Sequence, residues 1–334
     1  MVNDALHANP GLDVMHMNPN VPVDIAITTR GSDWYWAVTA VMTVATIAFV
    51  GMSFTVPRTH RIFHYITAAI TMVAAIAYYT MASNLGWTPI NVEFVRTKST
   101  VSGLSREIFY ARYIDWFITT PLLLLDLLLT AGLPWPTILY TILLDEVMIV
   151  TGLLGAITQS SYKWGYFVFG CAAFLVVAWN VTWVARKHAQ ALGPDISRVF
   201  LITGVWTISL WFLYPIAWGI CEGGNVISAD GEAVFYGILD ILAKPIFGIM
   251  LLIGHRNIEP SRLGLTMRDY EDPVAATGGV HEKHHHNGVN NGVNNGVTNG
   301  ATPATNGTTA STTAGPHGTT GTTATNTTAA SSAV

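Results

Sequence analysis

The chain has 334 residues, of which 51% are hydrophobic and only 11% are charged. Soluble domains carry about 25% charged residues, so this composition is typical of a membrane protein. The formal net charge of -4 is small and the basic residues do not cluster, which argues against a nucleic-acid partner. The two cysteines, Cys171 and Cys221, lack the spacing of a metal site or a redox pair, and we interpret both as inert core thiols.

Seven apolar stretches follow a polar N-terminal segment that lacks the pattern of a cleavable signal peptide. Each is long enough to cross a hydrocarbon core of about 30 Å, which takes about 20 helical residues. They lie at about 34–55, 62–86, 107–130, 134–157, 164–185, 199–220 and 232–254. The predicted fold class is therefore an all-α membrane protein, a seven-transmembrane helix bundle.

The distribution of Lys and Arg near the span ends favours an external N-terminus and a cytoplasmic C-terminus. The predicted divisions are an extracellular segment 1–33, a membrane domain 34–257 and a cytoplasmic tail 258–334. The long loop 86–106 is predicted to form an external hairpin or cap. From about residue 275 the tail is rich in His, Asn, Gly and Thr, and we expect it to be disordered because it has too little apolar surface to bury.

Lys244 lies in the middle of the seventh span, about 16–18 Å from either end, which is too far for its side chain to reach the interface. Asp240 is one turn earlier on the same face. One interpretation is a structural ion pair that fixes helix packing. The other is a desolvated amine that forms a Schiff base with a carbonyl compound. Pro245 follows directly, either as an ordinary kink or as a local weakening of the helix.

The third span also carries charges. Asp115 and Asp126 are 11 residues apart, which returns to within about 20° of the same helical face, and Thr119 lies between them. Asp126 is surrounded by leucines and is expected to be protonated at rest, whereas Asp115, one turn from Arg112, is expected to stay ionised. Two carboxyl groups with opposed resting states are typical of a proton donor and a proton acceptor. With the predicted orientation, a proton passed along this helix moves outward.

Several stretches together resemble the microbial (type 1) rhodopsins: "ARYIDWFITTPLLLLD", "DEVMIVTGLLGA", "WFLYPIAW" and "LDILAK". The tail opening "PSRLGLTMRDYEDP" resembles their fungal branch, and the resemblance spans about residues 34–260. It implies all-trans retinal on Lys244 as a protonated Schiff base. It also implies that Asp115 and Asp240 are the counter-ions, with Asp115 as proton acceptor and Asp126 as proton donor.

The resemblance implies further site residues. Arg112 matches the arginine beside the counter-ions, Glu222 and Glu232 match an acidic pair for proton release, and Tyr79, or else Tyr78, matches a hydroxyl from the second helix. The implied chromophore pocket consists of Trp116, Thr120, Leu123, Met148, Gly152, Trp211, Tyr214, Pro215, Trp218, Ala243 and Asp145.

The fifth helix departs from the family pattern. A bulky aromatic residue expected against the chromophore ring is not clearly placed there, and the nearest candidates are Phe169 and Gly170.

In this family, Asp, Thr and Asp at positions 115, 119 and 126 accompany outward proton pumping. We therefore predict a light-driven outward proton pump, an ion transporter and photoreceptor rather than an enzyme, with no metal. The alternatives are a photosensor that signals to a cytoplasmic partner and a retinal-free membrane scaffold or chaperone. The expected partners are retinal, the lipid bilayer and the transported protons; a homo-oligomer is left open. We expect the plasma membrane as the location.

Overall fold

The computed structural model describes residues 23–267 and 269. Within that part of the chain, seven helices are long and apolar enough to cross a membrane, which confirms the predicted fold class. They are α1 (Thr29–Ser53), α2 (Ile62–Ala82), α3 (Tyr110–Thr130), α4 (Trp135–Ile157), α5 (Lys163–Leu192), α6 (Pro194–Gly223) and α7 (Ala229–His255). Two short 3₁₀ turns, Arg58–His60 and Pro260–Leu263, follow α1 and α7.

The largest difference from the predicted spans lies between α5 and α6. The predicted gap 186–198 is almost entirely helical, and Gly193 alone separates the two helices. The segment Arg186–Leu192 is too polar to be recognised as a membrane span, but its Arg, Lys, Ala, Gln and Leu residues favour a helix that continues beyond the apolar layer. Gly193, at φ 127°, permits the sharp turn, and Pro194 then begins α6.

A two-stranded antiparallel hairpin connects α2 and α3. Strand β1 (Thr88–Asn91) pairs with β2 (Ser105–Ile108), as the length of this loop predicted. The residues before α1 dock on β2, because Ile25 N donates to Ser105 O at 3.0 Å and Glu107 N donates to Ile25 O at 2.9 Å. We call this side of the bundle the hairpin end, and the side where α3 and α7 finish the opposite end.

The domain boundaries after residues 33 and 257 stay predictions. Residues 1–22 and the tail segment expected to be disordered from about residue 275 lie outside the described residues. Helix α1 begins at Thr29, before the predicted boundary, since the Thr28 side chain accepts a hydrogen bond from Arg30 N and caps the helix.

Helix α3 is the most enclosed element of the bundle. Its span is 67% buried, compared with 22% for α1. It packs against α2 on one side and α4 on the other. Its three membrane-embedded charged residues, Arg112, Asp115 and Asp126, are therefore held away from lipid, which is the arrangement that makes intramembrane charges tolerable.

Helix α7 contains a widened π turn over Leu242–Ile246, which includes both Lys244 and Pro245. Proline lacks an N–H and collides with the carbonyl one turn earlier in a regular α-helix, and a widened turn relieves this conflict. The carbonyl of Leu242 accepts a hydrogen bond from Trp206 Nε1 of α6 at 3.0 Å. The local weakening predicted at Pro245 is thus a defined turn that is tied to the neighbouring helix.

Candidate functional site

Lys244 lies in the interior of the bundle with 2% of its surface exposed. Its Nζ contacts the carboxylate of Asp115 on α3 and lies 3.1 Å from Oδ2 of Asp240 on its own helix. Both carboxylates are equally buried. The pair Lys244–Asp240 predicted from the sequence is therefore present, but a carboxylate from another helix joins it.

The two carboxylates beside Lys244 have different hydrogen-bond partners. Asp240 accepts from the hydroxyl of Tyr78 at 2.8 Å and from the hydroxyl of Tyr214 at 2.7 Å. Among the described residues Asp115 accepts from no tyrosine hydroxyl, and its Oδ1 has no hydrogen-bond partner. Hydrogen bonds to a carboxylate stabilise negative charge, so the two phenols favour negative charge on Asp240 more than on Asp115.

Thr119 lies on the same stripe as Asp115, as predicted. Its hydroxyl donates to the backbone carbonyl of Asp115 at 2.8 Å and lies close enough to the Asp115 carboxyl group to interact with it. This is the usual local bond of a threonine within a helix, so Thr119 supports the turn that carries Asp115.

The choice of Tyr79 as the hydroxyl from the second helix was wrong. Tyr79 is 53% exposed and packs its ring against Trp36 on the outer surface of the bundle. Tyr78 is fully buried and donates to Asp240. Successive helical residues point about 100° apart, so only one of the two tyrosines can face the interior.

A cavity adjoins Lys244 and is bounded by helices α3 to α7. Ten of the predicted pocket residues line it: Trp116, Thr120, Leu123, Met148, Gly152, Trp211, Tyr214, Pro215, Trp218 and Ala243. Gly170, one of the two candidates on the fifth helix, also lines it, together with five residues that were not predicted: Tyr113, Ile149, Phe167, Cys171 and Phe174. Asp145 does not line it. This carboxyl lies behind Thr120, whose Oγ1 donates to Asp145 Oδ2 at 2.6 Å.

Helix α5 contributes aromatic side chains to the cavity after all. Phe167 stacks on Trp218 with ring centroids 4.9 Å apart, and Phe174 is buried. Phe169, one of the two sequence candidates, is 65% exposed and faces away. The missed signal was the spacing of 167, 170, 171 and 174, which places these residues on one helical face.

Of the two cysteines that we interpreted as core thiols, Cys221 lies in the hydrophobic core and Cys171 does not. Cys171 is only partly buried and lines the cavity, so it is not simply a core residue. Cys221 is fully buried, and its Sγ lies within 4.8 Å of carboxylate oxygens of Glu222 and Glu232.

At the hairpin end, Glu222 and Glu232 come together around Arg112, as the resemblance implied. Arg112 Nη1 lies 2.5 Å from Glu232 and 3.4 Å from Glu222. A second guanidinium, from Arg106 on β2, donates to Glu232 Oε2 at 2.7 Å. Sequence reasoning missed Arg106 because a residue in a long loop gives no sign that it is buried. Glu232 is thus held between two cations.

Tyrosine hydroxyls complete this polar cluster. Tyr113 and Tyr236 donate to Glu222 at 3.1 and 3.2 Å, and Arg112 Nη2 donates to the hydroxyl of Tyr35 at 2.9 Å. The Arg112 guanidinium also lies over the Tyr236 ring, 4.2 Å from its centroid. The two glutamates therefore differ: Glu232 is bound by guanidinium groups, and Glu222 mainly by phenols.

Asp126 is fully buried toward the opposite end, and neither of its carboxyl oxygens has a hydrogen-bond partner among the described residues. One turn further, the hydroxyl of Thr130 lies 2.7 Å from the carbonyl of Asp126 and 3.1 Å from Nε2 of His255. Sequence reasoning did not select His255. An unpartnered carboxyl in an apolar setting favours its neutral form, and the resting state expected for Asp126 stays a prediction.

The opsin class of membrane proteins combines seven membrane-spanning helices, an aromatic cavity inside the bundle and a buried lysine amine between two carboxylates, and this structure has all three. Residues 30–258 match the family model described as bacteriorhodopsin-like protein, and the chain belongs to this family. It is an integral membrane protein with fungal opsin-like relatives.

One such relative is the opsin-like protein carO of Fusarium fujikuroi, which is 63% identical over 276 residues, covering 83% of this chain and 88% of the relative. A solved light-driven proton pump from Leptosphaeria maculans is 36% identical, with a TM-score of 0.67 over 72% of this chain and 100% of that one. The light-driven proton pump of Coccomyxa subellipsoidea is 41% identical, with a TM-score of 0.65 over 69% of this chain and 99% of that one. Family membership implies retinal as the chromophore.

Proposed function

We propose that this protein is a light-driven outward proton pump with all-trans retinal on Nζ of Lys244. The observation that carries the proposal is the arrangement on α3: Asp115 contacts the lysine, and further along the same helix Asp126 is buried with no hydrogen-bond partner for its carboxyl group among the described residues. The solved relatives from L. maculans and C. subellipsoidea are described as light-driven proton pumps, which supports the same cargo here.

The cavity suits retinal, an apolar polyene aldehyde. Its lining is almost wholly apolar and aromatic, with the Lys244 amine at one wall. Lys244 would hold the group, since its amine could form an imine with the aldehyde and release one water. When bound, the group supplies absorption of a visible photon and a change in the orientation and acidity of the imine nitrogen. Trp116 Nε1 has no partner among the described residues and lies on the cavity wall, where aromatic rings favour a flat conjugated chain.

The residues of the chain divide the proton steps among them. At rest, the carboxylates of Asp115 and Asp240 balance the positive charge at Nζ of Lys244. Asp115 accepts the proton, since Asp240 is kept ionised by its two tyrosine donors. Asp126 supplies the replacement from the opposite end. A proton passes out at the hairpin end through the Arg112 cluster, which consists of Arg106, Arg112, Glu222 and Glu232. This direction requires the hairpin end to face outward, as the distribution of basic residues predicts.

Pumping is tested by illuminating cells that contain the protein and retinal while the external pH is recorded. We expect a light-dependent fall in external pH that a protonophore abolishes. A photosensor with the same site would give a visible band and a photocycle without sustained acidification, and this outcome would contradict the proposal.

Lys244→Arg is expected to remove the visible chromophore. Arginine keeps a cation beside Asp115, but a guanidinium does not form an imine under these conditions. Absorption spectra after addition of retinal should show only free retinal. The control is Lys163→Arg, which changes another buried lysine of the bundle. A visible band in Lys244→Arg would contradict the assignment, whereas the control should keep it.

Tyr78→Phe should destabilise the protein and Tyr79→Phe should not. The first change removes a hydrogen bond to a buried carboxylate, which costs about 1.5–3 kcal/mol in free energy of unfolding, whereas the second alters an exposed ring. Thermal loss of the visible band measures the difference. Compared with the unchanged protein, its midpoint temperature should be lower by roughly several degrees in Tyr78→Phe and unaltered in Tyr79→Phe. Equal midpoint temperatures for the two variants would show that the Tyr78 hydroxyl does not stabilise the site.

A further inference from the structure

The hairpin end holds three buried carboxyl groups that differ in their contacts with cations. Besides Glu222 and Glu232, it contains Glu107 on β2, whose surface is only 2% exposed. The buried cations there are Arg106, Arg112 and Lys163, and Lys163 interacts electrostatically with Glu93 and Glu222. A buried carboxylate that no cation contacts is costly, so a glutamate in that position holds a proton at rest.

The contacts of the three glutamates show which of them is the least stabilised as an anion. Glu232 lies between two guanidinium groups. Glu222 has Arg112 at 3.4 Å and two phenol donors. Among the described residues, no Lys or Arg nitrogen lies within ion-pair distance of Glu107, whose Oε2 accepts only the backbone N–H of Ile27, at 2.8 Å. Glu107 therefore loses least when it is neutral.

The position of Glu107 also suits a group at the exit. It lies on strand β2 of the hairpin, shortly before α3 begins, and its side chain contacts the chain segment that leads into α1. Charges on two other elements act on it, Glu232 of α7 and Arg112 of α3, together with Arg106 beside it. Glu107 in turn acts on the Tyr35 hydroxyl of α1. A change of charge in the Arg112 cluster is thus felt at Glu107.

The pKa of Glu107 is raised to about 8, chiefly by burial and in addition by the nearby Glu232 carboxylate. The Ile27 N–H and the two guanidinium groups act in the opposite direction and do not overcome burial. Because the pKa lies above 7, Glu107 is mostly protonated at neutral pH and becomes ionised as the pH rises through about 8.

We propose that Glu107 holds the releasable proton of the resting protein at the hairpin end, while Glu232 serves as a fixed anion between Arg106 and Arg112. This differs from the Glu222–Glu232 pair that the family resemblance implied. The release step rests on the proposed pumping function, but the resting protonation of Glu107 does not.

The resting state is tested in the dark, with glutamate labelled by ¹³C at the carboxyl carbon and infrared spectra recorded from pH 6.5 to 9.5. We expect one labelled C=O band of a protonated carboxyl group to vanish with a midpoint near pH 8. It should be absent in Glu107→Gln, in which the amide oxygen still accepts from Ile27. Glu93→Gln is the matched control in the same hairpin loop and should keep the band. A band that survives in Glu107→Gln but disappears in Glu222→Gln would overturn the proposal.

Release is tested with a pH-indicator dye after a single flash. The protein should release a proton early in the cycle at pH 7, and Glu107→Gln should release it only as the cycle ends. Glu93→Gln should behave like the unchanged protein, and the early release should disappear above pH 9 because Glu107 is then already ionised. Unaltered early release in Glu107→Gln would exclude this role. If the protein does not pump at all, the dark titration still tests the resting protonation of Glu107 independently.

Discussion

Asp115→Asn is expected to abolish light-driven acidification of the external medium. Asparagine preserves the shape of the side chain but cannot take a proton from the site beside Lys244. Asp240 does not replace it, since the hydroxyls of Tyr78 and Tyr214 stabilise its ionised form. Loss of a positioned proton acceptor costs about 10²–10⁴-fold in the rate of the step, so the initial rate of acidification should fall by at least about 100-fold.

Two controls accompany this measurement. Asp33→Asn removes an exposed carboxylate near the start of α1 and should acidify the medium at the original rate. Asp115→Asn must still form a visible band with retinal, which shows that Lys244 and the cavity are intact. Full pumping in a variant that binds retinal would mean that another group accepts the proton, and the scheme on α3 would have to be abandoned.

The sequence predicted the bundle and the charges of the site because each leaves a local signal. Apolar runs of membrane-spanning length mark the seven helices, and a spacing of 11 residues on α3 places Asp115 and Asp126 on one face. A lysine in mid-membrane is so unfavourable that its presence alone predicts buried partners of opposite charge. These features depend on distance along a helix, which the sequence specifies.

Features that depend on contacts between distant segments could not be predicted in the same way. The choice between Tyr78 and Tyr79 requires the rotation of α2 about its axis, and two neighbouring tyrosines give no indication of it. The ion pair of Arg106 with Glu232 joins a loop strand to α7 across 126 residues of sequence. The extension of α5 to Leu192 follows from helix propensity rather than hydropathy. In each case the missing quantity was an orientation or a long-range contact.

Asp126→Asn is expected to slow recovery of the resting state by about 100-fold or more while leaving the early proton release intact. Asp126 is the buried carboxyl at the opposite end of α3, surrounded by leucines, and its neutral form is a proton store within the membrane. Without it, the site beside Lys244 must be reprotonated from bulk water, whose proton concentration falls tenfold with each pH unit.

Recovery in Asp126→Asn should therefore slow about tenfold for each unit of increase in cytoplasmic-side pH, whereas a protein with an internal donor should show a weaker dependence. Flash spectroscopy of the return to the resting absorption between pH 6 and 8 measures both. Asp195→Asn is the matched control, because it removes an exposed carboxylate at the same end of the bundle and should leave the rate and its pH dependence unchanged. A recovery rate in Asp126→Asn that stays fast and insensitive to pH would show that the donor lies elsewhere, and His255, hydrogen-bonded to Thr130 one turn beyond Asp126, would be the next residue to substitute.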